Sequence, residues 1–417
     1  MSYAIKQALG FPFELLRHLT MFSFLRKYFS PFVVQNENLS LLQVFKPLHF
    51  CLLVVGLFPS SIEFPSGKRD FTIVFKSSSI SLACTLLMTV LISVSFGLHM
   101  LELSVSSKEN AFTIDQFTLT NYISNLVLML LFAGMAYICA LKNRNIYIKI
   151  LNEMAGCWAD LPNSASDSIL GQLRVQVNCL VLGSLLLMLI MQLVVTGTSD
   201  VPTSKIVLIA VTFNLPEMVQ FTLLAFYFVM IVMIIAIMKN IEENFALILP
   251  MRRVNGVDNH YVRLESGSAL ASLRQLRGVY ARALAVKRQV NAAFQAPLLF
   301  LLVQAFHSLI CDAHGVYHGL TYYRDTFSTH DVVEEFFWVF YQLIKFHILG
   351  FSSAILKLQA DKIGRALYNI SAHVNKEITQ YKSWADINDE ITLHLEIQHF
   401  ASLMKFQDIL QYMAFFH

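Results

Sequence analysis

Five stretches of this 417-residue chain run for more than twenty residues without a single Asp, Glu, Lys or Arg. They cover residues 77–101, 116–141, 175–199, 218–238 and 289–311. A sixth, 336–356, has the same length and apolar character but holds Lys345 near its middle. About 20 apolar residues in a helix cross roughly 30 Å of hydrocarbon. Lipid offers no partner for backbone N–H and C=O groups, so helices that satisfy them internally are the expected solution. The pattern predicts an all-α, polytopic membrane protein with six visible spans. Composition agrees: 56% of the residues are hydrophobic and 14% charged, against roughly 25% charged in soluble domains.

The loops carry an orientation. Lys and Arg accumulate on the cytosolic side of membrane proteins. Here they gather in the N-terminal segment (Lys6, Arg17, Arg26, Lys27, Lys46), between spans two and three (Lys142, Arg144, Lys149), throughout residues 239–288, and after span six (Lys357, Lys362, Arg365, Lys376). The alternate loops hold few basic groups and many acidic ones, among them Glu102, Asp115, Asp200, Glu217, Asp312, Asp325 and Glu334. The alternation predicts a cytosolic N-terminus, opposite to a G-protein-coupled receptor. Charges interrupt the first thirty residues, so span one is read as an uncleaved signal anchor. The expected organisation is a cytosolic region 1–76 with a short interfacial or re-entrant segment at 47–60, a six-span domain at 77–356, and cytosolic helices at 357–417. The basic loop 239–288 is expected to be helical, with Leu273, Leu276, Tyr280 and Leu284 making a stripe.

A net charge of +3 gives no reason to expect nucleic acid as a partner. No phosphate loop, HExxH or GxSxG signature is present, and no enzyme activity or cofactor is predicted. His307, Asp312, His314 and His318 fit no established zinc spacing. The six cysteines form no CxxC pair and read as small apolar residues. Lys345 is the sharpest polar feature. An ionisable group at mid-span costs roughly 3 kcal/mol on insertion scales and therefore faces protein or a watery cavity, or snorkels to an interface. Uncharged cores in the other spans offer it no carboxylate, so its expected partners are water, backbone carbonyls, Gln192, Gln304 and Tyr341. Aromatic and amide groups recur in the outer halves of the spans: Tyr122, Gln192, Phe221, Gln304, His307, Trp338, Tyr341 and Gln342. Apolar walls with a few polar groups are the usual make-up of a small-molecule site, although helix packing accounts for each residue singly. After span six, Leu393, Ile397, Phe400 and Met404 form a further stripe suited to packing on cytosolic helices.

Three features together resemble the insect gustatory receptor family. They are Pro47-Leu48-His49-Phe50 leading to Gly56-Leu57-Phe58-Pro59 before span one, the inverted orientation with its basic loop before span five, and Glu396-Ile397-Gln398-His399-Phe400 followed by Leu403. The resemblance implies a ligand-gated, nonselective cation channel in the plasma membrane of chemosensory neurons. It further implies a homo- or hetero-tetramer with other gustatory receptor subunits, a small-molecule tastant bound among the outer helix halves, and a seventh span lining the pore. That last span and its Thr-Tyr-(five hydrophobic)-Gln-Phe signature have no counterpart before His417. Without that helix a conducting homotetramer is not expected, and a truncated splice form, a faulty gene model and a non-conducting partner subunit are the alternatives. Insect odorant receptors share the architecture and are the alternative. A secondary transporter is the alternative of another class; it predicts paired, Gly- or Pro-broken spans in two related halves.

Overall fold

The computed structural model describes residues 40–63, 74–76, 79–109, 116–161, 166–196, 207–248, 266–322, 329–378, 392 and 394–402. The N-terminal basic residues up to Arg26 and Lys27, the loop residues Arg252, Arg253 and Arg263, and Leu393 and Met404 lie outside them. The architecture is all-helical and polytopic. Helix α1 (Leu41–Val55) is followed by a two-stranded ribbon, β1 (Ser61–Glu63) and β2 (Val74–Lys76). The strands are antiparallel, with Ile62 opposite Phe75. Then come α2 (Ser79–Glu109), α3 (Gln116–Lys142), α4 (Arg144–Ala159), α5 (Ser166–Thr196), α6 (Leu215–Ile248), α7 (Ser266–Tyr322) and α8 (Thr329–Ile378). Residues 394–402 are helical as well. The ribbon is an addition to the expected helices and does not alter the class.

Six helices are long and apolar enough to cross a membrane, and they coincide with the six predicted stretches. Several run well past them. Helix α7 has 57 residues and α8 has 50. At 1.5 Å per residue they reach roughly 85 and 75 Å, more than twice the hydrocarbon thickness. The uncharged stretch marks only the part of each helix that lipid solvates. The polar turns beyond it are held by neighbouring helices. The bundle is built around α6, which packs on α1, α3, α5, α7 and α8. Within its span 83% of the apolar window is inside the protein, against 17–44% for the other five. A helix apolar on all sides belongs at the centre of a bundle. Helices α2 and α5 instead expose Leu86, Leu87, Val90, Val94, Leu185, Leu186 and Leu189, the surface expected against acyl chains.

Helix α1 is short and buried on nearly every side. It starts at Leu41, six residues before the segment expected at 47–60. A capping box fixes its start: the Gln43 backbone N–H donates to Ser40 Oγ, and Gln43 Oε1 accepts from the Ser40 N–H, both at 3.3 Å. Its C-terminus closes at Gly56, whose φ of 77° suits glycine. Two neighbours satisfy its final carbonyls. Tyr137 Oη of α3 donates to Val55 O at 3.0 Å, and Thr85 Oγ1 of α2 to Gly56 O at 2.8 Å. One face carries Phe45 and His49 into an aromatic cluster centred on Phe226, with Phe58, Tyr147 and Phe294. Burial lowers the His49 pKa to about 4, against a smaller opposing effect of its hydrogen bond to the Ser60 backbone. The ring is therefore neutral at cytosolic pH.

On the side that charge places in the cytosol, the first turns of α7 bury Leu273, Leu276, Tyr280 and Leu284. The helical segment 394–402 lies against them. Ile397 and Phe400 are buried, and the Phe400 ring sits 5.6 Å from Phe245 and 5.1 Å from Tyr280. Glu396 joins Arg274 at 3.0 Å and Arg277 at 2.6 Å. Arg282 pairs with Asp160 at the end of α4. Both arginine partners of Glu396 are partly exposed, and ion pairs in water contribute only about 0.2–1 kcal/mol. Glu396→Ala is therefore expected to lower the thermal midpoint of the purified protein slightly. Its clearer signature is faster tryptic cleavage at Arg274 and Arg277; unchanged cleavage would remove Glu396 as the group that holds the segment in place.

Candidate functional site

Lys345 stands on α8 with its side chain fully buried. One turn of α6 supplies what it needs. Glu217, Gln220 and Phe221 recur at spacings of three and four and so share a face. The Lys345 ammonium pairs with Glu217 Oε2, donates to Gln220 Oε1 at 2.5 Å, and lies 4.4 Å from the centre of the Tyr341 ring. Carboxylate, amide oxygen and ring face together match its three N–H groups. The expectation that Lys345 would find only water, carbonyls, Gln192, Gln304 or Tyr341 is corrected here. Its main partner is Glu217, a residue read from sequence as part of an outer loop.

The reason lies in the helix that precedes it. The described helix begins at Val207, ten residues before Glu217. Pro216 has no N–H to donate, and its ring clashes with the carbonyl four residues back. The chain widens into a π-turn over Ala210–Asn214, and the Leu215 N–H bonds Ala210 O, five residues back. An acidic residue followed by an apolar run resembles a span boundary, but here the helix continues through it. No charge-free window could have included Glu217. The usable signal was the lysine itself, since a buried cation requires a counter-charge.

Around the pair a hydrogen-bonded network crosses four helices. Gln220 Nε2 donates to Gln304 Oε1 at 2.8 Å. Gln304 Nε2 lies 2.8 Å from Ser308 Oγ, 3.2 Å from Asn125 Oδ1 and 3.3 Å from Glu217 Oε1. Ser308 donates to Asn125 Oδ1 at 2.7 Å. Tyr341 Oη donates to Glu217 O at 3.2 Å. Asn125 comes from α3, Gln304 and Ser308 from α7, and Tyr341 and Lys345 from α8. Beside the network is an aromatic wall. Phe221 stacks on Tyr341 at 6.0 Å, and Trp338 meets Tyr341 edge-on at 5.9 Å. Leu187 and Met188 of α5 pack against this pair. Trp338, Tyr341, Gln342 and Lys345 occupy one helical face, within an arc of about 100°. Gln342 is 1% exposed, and its Oε1 meets no hydrogen-bond partner among the described residues.

Of the residues singled out from sequence, Tyr341 touches Lys345 directly, Gln304 joins it through Gln220, Phe221 and Trp338 pack on Tyr341, and Gln342 shares its helical face. Two others lie elsewhere. Tyr122 Oη is 2.9 Å from His99 Nε2, while His99 Nδ1 is 3.0 Å from Thr212 Oγ1. Thr212 spends its own hydrogen on Leu208 O at 2.7 Å, so it accepts from Nδ1–H and leaves Nε2 to accept from Tyr122. That triad fastens α2 and α3 to the π-turn. His307 lies 3.5 Å from Cys311 Sγ, one turn along α7. The side chain of Gln192 is outside the described residues. Glu217, Gln220, Asn125 and Ser308 were missed, and no group of three metal-ligating side chains occurs among the described residues.

The arrangement is a neutral, desolvated polar core under an aromatic wall, in the half of the bundle that the charge pattern places outside. Its side chains offer ring faces and hydrogen-bonding groups. Three comparisons bear on it. A family model described as 7tm Chemosensory receptor matches residues 45–416. Among solved structures, the fold is similar to the insect olfactory receptor OR5 from Machilis hrabei, at a TM-score of 0.60 and 12% identity over 88% of this chain and 89% of that one. The same receptor in complex with eugenol matches with a TM-score of 0.60 and 11% identity, over the same shares of both chains. No curated protein matches the sequence.

Proposed function

We propose a function from one premise: the chain belongs to the 7tm chemosensory receptor family. It is a gustatory receptor subunit of the plasma membrane of chemosensory neurons. It binds a small-molecule tastant at the Tyr341–Lys345 site and takes part in a ligand-gated, nonselective cation channel with three further subunits, identical or related. The observation that carries this reading is the buried network of Glu217, Gln220, Gln304 and Lys345 beside Phe221, Trp338 and Tyr341. Helix packing alone is served by apolar side chains, whereas a desolvated cluster of amides and a zwitterion is costly to keep. A ligand site gives it a use. The Gln342 acceptor, which meets no partner among the described residues, points the same way.

The likeness to an olfactory receptor supports a second reading, an odorant receptor subunit, and the ligand panel separates the two. Cells expressing the chain, alone and with a second subunit of the same family, should be challenged with sugars, bitter compounds and volatile phenols including eugenol. Inward cation current reversing near zero is the expected response. Response to tastants supports the gustatory reading, and response to volatiles alone the odorant one. Ligand binding without current in either expression format would assign a non-conducting subunit. Solute accumulation without channel current would overturn the receptor reading in favour of a transporter.

A further inference from the structure

We infer that Gln342 is the recognition point of this site, and that the ligand it takes is an uncharged molecule with one O–H or N–H donor on an apolar, ring-sized body. The inference rests on the ligand-site reading above and adds the chemical class and the residue that selects it.

Charge comes first. Glu217 and Lys345 sum to zero, and each is already engaged. Lys345 uses its N–H groups on Glu217, Gln220 and the Tyr341 ring. Glu217 receives Lys345 on one oxygen and Gln304 on the other. A charged ligand would bring an extra charge into a low-dielectric site whose own charges are spoken for, and nothing there would offset its lost hydration. The site discriminates against ions of either sign.

Hydrogen bonding comes next. Gln220, Gln304, Asn125 and Ser308 bond mainly to one another and to the ion pair, so the network is internally closed. Gln342 differs. It occupies the same face of α8 as Trp338, Tyr341 and Lys345 and is 1% exposed. Its Oε1 finds no donor among the described residues. Buried acceptors are paired in the great majority of cases, and one that is not marks a place where a donor belongs. An acceptor asks for an O–H or N–H. The same helical face carries Trp338 and Tyr341, which pack with Phe221, Leu187 and Met188; such surfaces suit the face of a ring or a compact aliphatic body.

The test uses the full chain, purified into lipid nanodiscs, and direct binding of matched probes. The probes are eugenol, 2-phenylethanol and cyclohexanol, the methyl ether of each, and 2-phenylethylammonium. Each ether keeps the body and loses the donor. The wild type is expected to bind the hydroxyl member of at least one pair about fivefold more tightly than its ether, the worth of one neutral hydrogen bond. The ammonium probe should bind at least tenfold more weakly than 2-phenylethanol. Gln342→Met, of similar volume, should reduce the hydroxyl preference to within twofold, and Gln342→Asn should retain part of it. If Gln342→Met does not fold, the wild-type ether and ammonium comparisons still decide. Binding of alcohols and ethers without preference, a preference that survives in Gln342→Met, or a preference for the ammonium overturns the inference while leaving a ligand site in place. Failure of every probe to bind overturns the ligand-site reading together with it.

Discussion

Lys345→Met is expected to remove most of the folded protein from the membrane, and adding Glu217→Gln is expected to bring most of it back. The lysine is fully buried and the carboxylate nearly so. Removing one partner of a buried pair strands the other charge, at a cost of about 3–5 kcal/mol. That is a large part of the roughly 5–15 kcal/mol that separates folded from unfolded states. Gln220 would lose its strongest donor as well, since Lys345 reaches its Oε1 at 2.5 Å. With Glu217→Gln, no charge remains to strand. A neutral amide can still meet Gln304, and the thioether chain that replaces the lysine stem still packs over Tyr341. Replacing a whole buried pair with uncharged groups is often close to neutral. Surface labelling of tagged protein and thermal midpoints in detergent check both variants. A single variant as stable as the wild type would mean that Lys345 reaches water and that Glu217 does not need it. A double variant no better than the single would place the cost in packing instead of charge.

The same pair shows what a sequence reveals of such a protein and where it stops. Six spans were legible because uncharged runs are a one-dimensional property, and lipid enforces them one helix at a time. The stripe from Leu273 to Leu284 was legible because helical periodicity is local; all four of its residues are buried. Lys345 stood out as costly, Gln192, Gln304 and Tyr341 were named as its polar partners, and Gln342 was named among the candidate ligand groups. What could not be read was the counter-charge. Glu217 lies 128 positions away in the chain, directly after a proline, and the rule that reveals spans assigns such residues to loops. Asn125 and Ser308 were invisible for a related reason. Short polar residues in apolar helices usually bond their own backbone, as Ser184 does here with Val181 O. Only the three-dimensional packing shows which of them turn inward. Tyr122 illustrates the converse: an aromatic residue in the expected half of the expected span, engaged by His99 in a different cluster.

A second substitution with a large expected effect is Gly56→Ala, which adds one methyl group at the end of α1. The residue has φ of 77°, a left-handed conformation in which an L side chain costs roughly 1–2 kcal/mol. The added carbon would also meet the Thr85 Cα at 2.9 Å, with the Thr85 N at 3.2 Å and the Cys84 carbonyl at 3.3 Å. These are backbone atoms of a membrane-spanning helix and cannot swing aside as a side chain does. Either α1 or α2 has to move, and overpacking of this kind costs about 1–3 kcal/mol. Movement would break the Thr85 bond to Gly56 O and draw Val55 O away from Tyr137. The expected result is a helix α1 that leaves its seat while the spans remain folded. Cys51 reports it directly. Burial raises its thiol pKa to about 11, so it should react slowly with maleimide in the wild type and much faster in the variant. Gly278→Ala is the control. It sits inside α7, where an added Cβ meets nothing within 4 Å. A helix interior favours Ala over Gly by about 1 kcal/mol, so that variant should hold or gain stability and leave Cys51 slow. Equal Cys51 labelling in Gly56→Ala and wild type would mean that α1 is not locked against α2 at Gly56. The carbonyl bonds to Thr85 and Tyr137 would then have to hold the helix on their own.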